Sequence, residues 1–303
     1  MIKKSLCFSN PAYLSLKLNQ LVIKIANPVS GKDRVLTRPI EDIGMIIIES
    51  HSVVLTSALL AFLMENNVAV LTCDSKHMPS GLMLPLAYNN ELTEKATRQI
   101  NSSQPLKKQL WQQTVSAKIS NQSLLLRQHC KEETSCMDIW AKGVRSGDPD
   151  NLEARAAVFY WRNLFPKEYN FMRGDEANSI NSLLDYGYAI LRAIVARALV
   201  STGLIPTIGL FHSNKYNAYC LADDIMEPYR PFVDMVVLEL IARYGKDCRI
   251  SPEIKKELLR IPGMDVKMGI YKRPLMNAAA ITCASLAKCY SGDLRKISYP
   301  VIE

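Results

Sequence analysis

The sequence predicts an α+β protein, in which a small β-rich N-terminal domain is followed by a larger all-α domain. Its 303 residues exceed one typical hydrophobic core, so two domains are expected. The first ninety residues alternate short β-branched runs with turn signals. From about residue 92 the pattern becomes helical almost to the end. We therefore place the two domains at residues 1–90 and 91–303.

Three apolar runs within the first domain predict β-strands. They cover residues 21–25, 45–49 and 68–73 and are rich in Val, Ile and Leu. Residues 27–32 contain Asn-Pro and Ser-Gly and predict a hairpin-type turn. The segment 57–67 predicts one short helix, which ends at a pair of asparagines.

In the second domain, a polar loop at residues 143–150 precedes a clearly predicted helix. Asp150 or Asn151 can provide the N-cap of a helix that starts near Leu152. A longer helix is predicted over residues 180–200, and Gly203 ends it. Further helices are predicted over residues 223–244, 251–260 and 273–290. Pro228 and Pro231 should kink the first of these or delay its regular start.

Composition excludes a disordered chain and favours an acidic partner. The chain is 48% hydrophobic and 22% charged, as in ordinary globular proteins. A net charge of +8 indicates a polyanion, although charge alone fits a basic enzyme without nucleic acid equally well.

The sequence also predicts a cytoplasmic protein without membrane association. The longest apolar helical stretch, 183–200, is interrupted by Asp185, Arg192 and Arg197 and therefore predicts a core helix. The eight cysteines form no CxxC pair, and no histidine lies at zinc-finger spacing. Because no signal peptide is recognisable, we expect free thiols in a reducing compartment.

Residues 95–131 form a basic segment without a single Asp or Glu. Such a segment can lie along phosphates, where each basic side chain releases counterions. The alternative is a solvated helix face, which is the usual role of a run of charges. Its basic residues are Lys95, Arg98, Lys107, Lys108, Lys118, Arg127 and Lys131.

One histidine and three carboxylates fall within sixteen residues, at His212, Asp223, Asp224 and Glu227. Spacings of three and four residues let Glu227 share a helical face with the two aspartates. Like charges on one face repel, which a divalent cation would relieve. Together with Glu153, about sixty residues upstream, these side chains suit Mg²⁺ or Mn²⁺ and phosphodiester chemistry.

Each of these residues also has a structural explanation. Glu153 can stabilise a helix N-terminus through the macrodipole, by about 0.3–1 kcal/mol. Asp223 and Asp224 can cap the helix that follows them. His212 follows a Leu-Phe pair and can be a hydrogen-bonded core histidine. Taken one at a time, these explanations are preferable, because spacing alone is weak evidence.

Four motifs in a fixed order change this balance. They are Asn151-x-Glu153-x-x-Ala156-Ala157, Asn181-x-Leu183-Leu184-Asp185-Tyr186-Gly187-Tyr188, Gly203-Leu204-x-Pro206-x-x-Gly209-x-x-His212, and Asp223-Asp224-x-x-Glu227-Pro228-x-Arg230-Pro231. Together they resemble the CRISPR-associated adaptation integrase, the universal spacer-acquisition endonuclease. The resemblance covers nearly the whole chain, and residues 219–223 and 227–231 are most similar to the type II branch.

The resemblance implies a metal site made by Glu153, His212 and Glu227, with Asp224 as a nearby catalytic acid and Mg²⁺ or Mn²⁺ as the cofactor. Whether Asp223, Asp224 or Glu227 is the third ligand stays open at this point. The resemblance also implies that the N-terminal domain mediates dimerisation and that the helical domain carries catalysis and DNA binding.

The activity implied by this resemblance is the joining of 3′-hydroxyl ends of captured duplex DNA fragments into the CRISPR repeat by transesterification. The implied assembly is a homodimer that forms a heterohexamer with a small second adaptation subunit, with the type II effector nuclease as a further partner. Two alternatives remain, a non-catalytic DNA-binding scaffold and a general metal-dependent nuclease. The candidate nucleic-acid contacts are Lys215, Arg230, Tyr188, Lys107 and Lys108; surface solvation and, for Tyr188, core packing are the alternatives.

Overall fold

The chain forms two compact units, Met1–Asn90 and Glu91–Glu303. The computed structural model describes residues 3–26, 33–86, 88–175, 178–246 and 248–303. The turn predicted at 27–32 lies outside these residues. The first unit is built on β-sheets and the second is mostly helical, which confirms the predicted fold class.

The N-terminal unit contains eight strands and one α-helix among its described residues. In chain order the elements are β1 (Lys4–Phe8), β2 (Tyr13–Lys17), β3 (Gln20–Ile25), β4 (Arg34–Pro39), β5 (Ile43–Ile48), β6 (Val54–Leu55), α1 (Ser57–Glu65), β7 (Ala69–Cys73) and β8 (Pro79–Met83). Strands β3, β5 and β7 and helix α1 correspond to predicted elements, with ends that differ by a few residues.

These strands form two four-stranded sheets. In the first, β1, β5 and β7 are parallel and β8 pairs antiparallel with β7. The central strand β5 is an almost uninterrupted apolar run, as expected of a strand covered on both faces. In the second sheet, β2, β3 and β4 are antiparallel and the short β6 pairs parallel with β2.

The core of the N-terminal unit lies between its sheets and α1. Leu14, Leu21 and Ile46 from the sheets are fully buried together with Leu59 and Leu63 from α1. The helix begins where the hydroxyl of Thr56 accepts a hydrogen bond from the amide of Leu59, at 3.3 Å. This apolar cluster stabilises the unit by burying its side chains away from water.

The larger unit contains nine α-helices and a short hairpin among its described residues. In chain order they are α2 (Leu92–Ile100), α3 (Gln104–Leu125), α4 (Ser135–Gly143), α5 (Leu152–Leu164), α6 (Ser179–Thr202), α7 (Cys220–Met226), α8 (Arg230–Tyr244), α9 (Pro252–Leu258), β9 (Asp265–Met268), β10 (Tyr271–Pro274) and α10 (Leu275–Ser291). The hairpin adds two short strands to the predicted helical domain. It forms because Gly269 adopts a left-handed φ of +61° at the turn between two short extended runs.

Helix α6 is the central element of this unit and packs against α7, α8 and α10. Most of its side chains are buried, and Gly203 ends it with a left-handed φ of +88°. In the described part of the chain, no helix combines the length and the apolar character that a membrane crossing requires. All eight cysteines are free thiols.

The predicted helix over residues 223–244 is in fact two helices. Helix α7 ends at Met226, a single 3-10 turn covers Glu227–Tyr229, and α8 starts at Arg230. Pro228 has no amide hydrogen to donate, so a regular helix cannot continue through it. This break turns the side chains of Glu227 and Arg230 into the interior of the unit.

Candidate functional site

The candidate site lies where four parts of the helical unit meet. Helix α3 contributes Lys118, the first turn of α5 contributes Glu153, and the loop before α7 contributes His212. The 3-10 turn between α7 and α8 contributes Glu227. These side chains are far apart in sequence, so the fold alone brings them together.

Glu153 is held at the start of α5 by a residue that the sequence did not single out. The carboxylate of Asp148 accepts hydrogen bonds from the first two amides of the helix, including that of Glu153, both at 2.9 Å. Asp150 is instead paired with Arg145, and the side chain of Asn151 makes no cap. The predicted caps are therefore corrected to Asp148, because Asn151 adopts a left-handed φ of +51°.

His212 is oriented by the fully buried carboxylate of Asp224. Oδ1 of Asp224 lies 2.5 Å from the imidazole Nδ1, and Oδ2 accepts the amides of Leu210 and Phe211 at 2.6 and 3.0 Å. With the Nδ1 proton donated to Asp224, Nε2 is left with the lone pair that a metal ligand needs. This hydrogen bond raises the pKa of His212 above its usual range, despite partial burial.

The loop that carries His212 approaches α7 closely at Gly209. A Cβ atom at this position would lie 2.2 Å from the carbonyl oxygen of His212 and 2.8 Å from Oδ2 of Asp224. Only glycine fits without a shift of the loop, since backbone cannot yield as a flexible side chain can.

Asp223 faces away from Asp224 and has different partners. Its carboxylate accepts Nε of Arg192 at 2.6 Å and Nδ2 of Asn217 at 2.7 Å. Asp223 thus ties α6 and the His212 loop to α7, and neither aspartate caps the helix. Glu227, by contrast, shares the ammonium group of Lys118 with Glu153.

Glu227 is buried and ionised. Its Oε1 accepts a hydrogen bond from Nε of Arg230 at 2.8 Å, and its Oε2 lies 2.5 Å from Nζ of Lys118. Burial alone would raise the pKa of Glu227, but the charges of Arg230 and Lys118 outweigh it and lower the pKa to about 2.

Lys118 belongs to the site, although the sequence placed it only in the basic segment. Its Nζ also lies 2.7 Å from Oε1 of Glu153, so the ammonium group bridges two carboxylates. Burial would lower the pKa of Lys118, yet Glu227 and Glu153 raise it and keep the group charged. The only signal in the sequence was its position in the acid-free basic segment.

The donor set fits a hard divalent cation. Two carboxylates and one imidazole nitrogen are ligands that Mg²⁺ and Mn²⁺ accept, and the ammonium of Lys118 already occupies the space between the carboxylates as a positive charge. Among the residues described here, no three His, Cys, Asp or Glu side chains form a ready cluster for a metal ion. Glu153, His212 and Glu227 would need to close around the cation.

Two of the predicted nucleic-acid contacts have internal roles in this structure. Tyr188 is buried, and its hydroxyl donates to Asp234 at 2.5 Å. Arg230 lies over the Tyr188 ring, 4.6 Å from its centroid, and pairs with Glu227. The position of Tyr188 matches the core-packing alternative, since the ring has no face free for a base.

Lys107 and Lys215 line the same cavity as His212. The cavity measures about 460 Å³ and is bordered by the loop 207–215, by α3 and by the start of α7. Phe211 is half exposed at its edge and stacks on the buried Trp111, with ring centroids 4.7 Å apart. Lys108 is exposed on α3 but does not line this cavity.

Four of the seven basic residues in the segment 95–131 are paired with acids, which favours the structural explanation for those four. Lys95 and Arg98 pair with acids of the preceding turn, Arg127 pairs with Asp138 on α4, and Lys118 pairs with the site carboxylates. Of the basic residues of the segment, Lys107 lines the cavity beside His212.

Comparisons with known proteins agree with this architecture. Residues 6–248 match the family described as CRISPR associated protein Cas1. The chain is 38% identical to the CRISPR-associated endonuclease Cas1 of Neisseria meningitidis serogroup C (strain 8013), over 93% of this chain and 89% of that protein.

Solved structures with the same fold include a casposase bound to integration product, with a TM-score of 0.78, 22% identity, and coverage of 98% of this chain and 92% of that one. A Cas6-RT-Cas1–Cas2 complex matches with a TM-score of 0.71 and 19% identity, over 97% of this chain and 35% of that chain. The family predicted from the four motifs is therefore confirmed, and the chain belongs to the CRISPR-associated Cas1 family.

Proposed function

We propose that this protein is a metal-dependent DNA endonuclease and integrase of CRISPR adaptation. It joins the 3′-hydroxyl ends of captured duplex DNA fragments to the CRISPR repeat. The observation that carries the proposal is that Glu153 and Glu227 meet at Lys118, near an imidazole that Asp224 orients and whose charge both glutamates favour. His212 also borders a cavity lined by two lysines.

Glu153, Glu227 and Nε2 of His212 would hold Mg²⁺ or Mn²⁺, which supplies Lewis-acid activation of the attacking hydroxyl and of the phosphate. Asp224 keeps the proton on Nδ1 of His212 and thereby fixes the direction of Nε2. Lys107 and Lys215 bind the phosphates on either side of the reacting one. Arg230 donates a hydrogen bond to Oε1 of Glu227, which keeps this carboxylate in the same orientation when DNA binds.

The reaction conserves the number of phosphodiester bonds. The 3′-oxygen of the captured fragment forms a bond to phosphorus at the edge of the repeat, and the bond from phosphorus to the 3′-oxygen of the repeat strand breaks. The attacking hydroxyl loses a proton and the leaving oxygen gains one, so no nucleotide cofactor is consumed. With water as the nucleophile, the same site hydrolyses DNA.

The proposed assembly follows the relatives. The names of the structural neighbours mention an integration product and a complex of Cas1 with Cas2, which supports DNA and a small second subunit as partners. We assign dimerisation to the N-terminal unit, a heterohexamer to the complete assembly, and the type II effector nuclease as a further partner.

The test is strand transfer in a defined mixture. It contains a supercoiled plasmid with leader and repeat, a labelled short duplex with free 3′-hydroxyls, the small partner subunit, and Mg²⁺ or Mn²⁺. We expect covalent transfer of label by the unmodified protein and its loss in Glu153→Gln, His212→Ala and Glu227→Gln. Glu168→Gln is the matched control, since this exposed glutamate lies outside the site and should leave transfer intact.

Three outcomes would favour other functions. Cutting of any duplex without transfer of label would favour the general nuclease. DNA binding with no metal-dependent reaction in any variant would favour the non-catalytic scaffold. Transfer that continues after the 3′ ends are blocked would show that the 3′-hydroxyl is not the nucleophile.

A further inference from the structure

Lys118 is a buried cation for which the proposed mechanism has no role. Its Nζ lies 2.7 Å from Oε1 of Glu153 and 2.5 Å from Oε2 of Glu227, and only 12% of its side chain is exposed. The lysine comes from α3, whereas the two carboxylates come from α5 and from the turn after α7. The ammonium group therefore links three separate elements at the site.

Negative groups outnumber positive groups around Lys118. Glu153, Glu227 and Asp224 provide three carboxylates, while Lys118 and Arg230 provide two cations. Without the lysine, two carboxylates would face each other in a partly desolvated space, which is strongly unfavourable. A divalent cation between the same carboxylates would remove that repulsion and would itself be repelled by the ammonium group.

The backbone beneath Lys118 is fixed, but its head group can move. Three residues further along α3, Nδ2 of Asn121 donates to the carbonyls of Pro228 and Pro300 at 2.8 and 3.0 Å. The four-carbon stem of a lysine, by contrast, is flexible. Its contact with Oε2 of Glu227 uses one acceptor site of that oxygen, and each carboxylate oxygen has about two.

We propose that Lys118 is the resident counter-cation of the Glu153–Glu227 pair and competes with the metal ion for it. In the metal-free protein the ammonium group keeps the two carboxylates close together and close to His212. When a divalent cation binds, the lysine head group moves aside. Lys118 is thus a positioning residue that sets the metal affinity, and this inference rests on the metal site of the proposed function.

The experiment measures Mn²⁺ binding by calorimetry and thermal unfolding with and without Mn²⁺, using the full chain without DNA. In Lys118→Met we expect a lower melting temperature in EDTA, because the carboxylates lose their counter-cation. We also expect Mn²⁺ to bind about tenfold more tightly, a difference of about 1.4 kcal/mol, and to raise the melting temperature by more than in the unmodified protein.

Two further variants keep the test decisive. Lys118→Gln removes the charge but retains a hydrogen-bond donor, so it should show the same gain in affinity even if the methionine variant folds poorly. Lys142→Met removes one charge from an exposed position on α4 and should leave Mn²⁺ binding unchanged.

An unchanged or weaker Mn²⁺ affinity in both Lys118 variants would overturn the inference. Glu153→Gln separates this failure from a failure of the proposed function. If Glu153→Gln abolishes Mn²⁺ binding while the Lys118 variants bind as the unmodified protein does, only the counter-cation role is wrong. If Glu153→Gln also leaves binding unchanged, the metal site itself is wrong and the counter-cation role is wrong with it.

Discussion

The adjacent aspartates of α7, Asp223 and Asp224, bind different partners because their side chains point in different directions from the helix. Consecutive residues on a helix point about 100° apart, so Asp223 faces Arg192 while Asp224 faces the His212 loop. The spacing in the sequence placed these acids together but could not identify their partners, since those partners lie on α6 and on the loop that precedes α7. The same limit applies to Lys118, whose inward direction depends on the packing of α3.

Gly209 provides a test at the scale of a single residue. We expect Gly209→Ala to displace the His212 loop, because its Cβ would lie 2.2 Å from the His212 carbonyl oxygen. A displacement of this size should slow strand transfer about a hundredfold and weaken Mn²⁺ binding. Gly263→Ala is the control, since nothing lies within 4 Å of the added Cβ, and it should retain full activity. Equal activity of the two variants would contradict the role of the loop.

The positions where helices begin, end and break determine which side chains reach the site. The sequence predicted the helices near Leu152 and over 180–200 and the effect of Pro228, because caps, periodicity and proline act locally. It missed the hairpin at residues 265–274 and the cap by Asp148. Both depend on left-handed backbone positions, at Gly269 and Asn151, which short-range patterns do not specify.

Asn121 connects three elements and provides the test at this scale. Its side chain donates to the carbonyls of Pro228 and Pro300 and accepts the amide of Ile302 at 3.1 Å. Asn121→Leu should lower the free energy of unfolding by about 1–3 kcal/mol, because buried backbone groups lose their partners. Urea denaturation measures this, and limited proteolysis should show a released C-terminal tail. Gln128→Leu, at an exposed position, should change neither.

At the scale of the whole molecule, a buried acid makes stability depend on pH. Asp234 accepts the hydroxyl groups of Tyr160 and Tyr188 at 2.6 and 2.5 Å. Burial raises its pKa to about 6, although the two tyrosine hydrogen bonds oppose the shift. Between pH 4 and 6 the folded protein therefore binds a proton that the unfolded chain does not, so stability from this group rises as pH falls and is lost as pH increases.

We expect the unmodified protein to gain about 1 kcal/mol between pH 7.5 and pH 5 relative to Asp234→Asn. An asparagine keeps both tyrosine hydroxyls hydrogen-bonded but cannot titrate. Urea denaturation followed by circular dichroism measures the difference at each pH. Parallel pH profiles for the two proteins would show that Asp234 does not titrate in this range.

The chain carries a net charge of +8, and we expect the lysines at the site to supply the part of it that contacts DNA. The dependence of DNA affinity on salt counts the phosphates that are neutralised, with a slope of about 0.9 per contact in duplex DNA. Lys107→Gln and Lys215→Gln should each reduce the slope by about this amount. Lys288→Gln, exposed on α10, should not, and equal slopes for all three variants would place the DNA elsewhere.

The stacked pair of Trp111 and Phe211 gives the site an intrinsic optical reporter. The indole of Trp111 lies edge-on to the imidazole of His212, with centroids 5.6 Å apart, and it is buried from solvent. Paramagnetic Mn²⁺ bound to this imidazole would therefore quench the emission of Trp111, whereas diamagnetic Mg²⁺ would not. In a variant that lacks Trp140 and Trp161, the other two tryptophans of the chain, arrival of the metal would thus be followed in real time without an attached label.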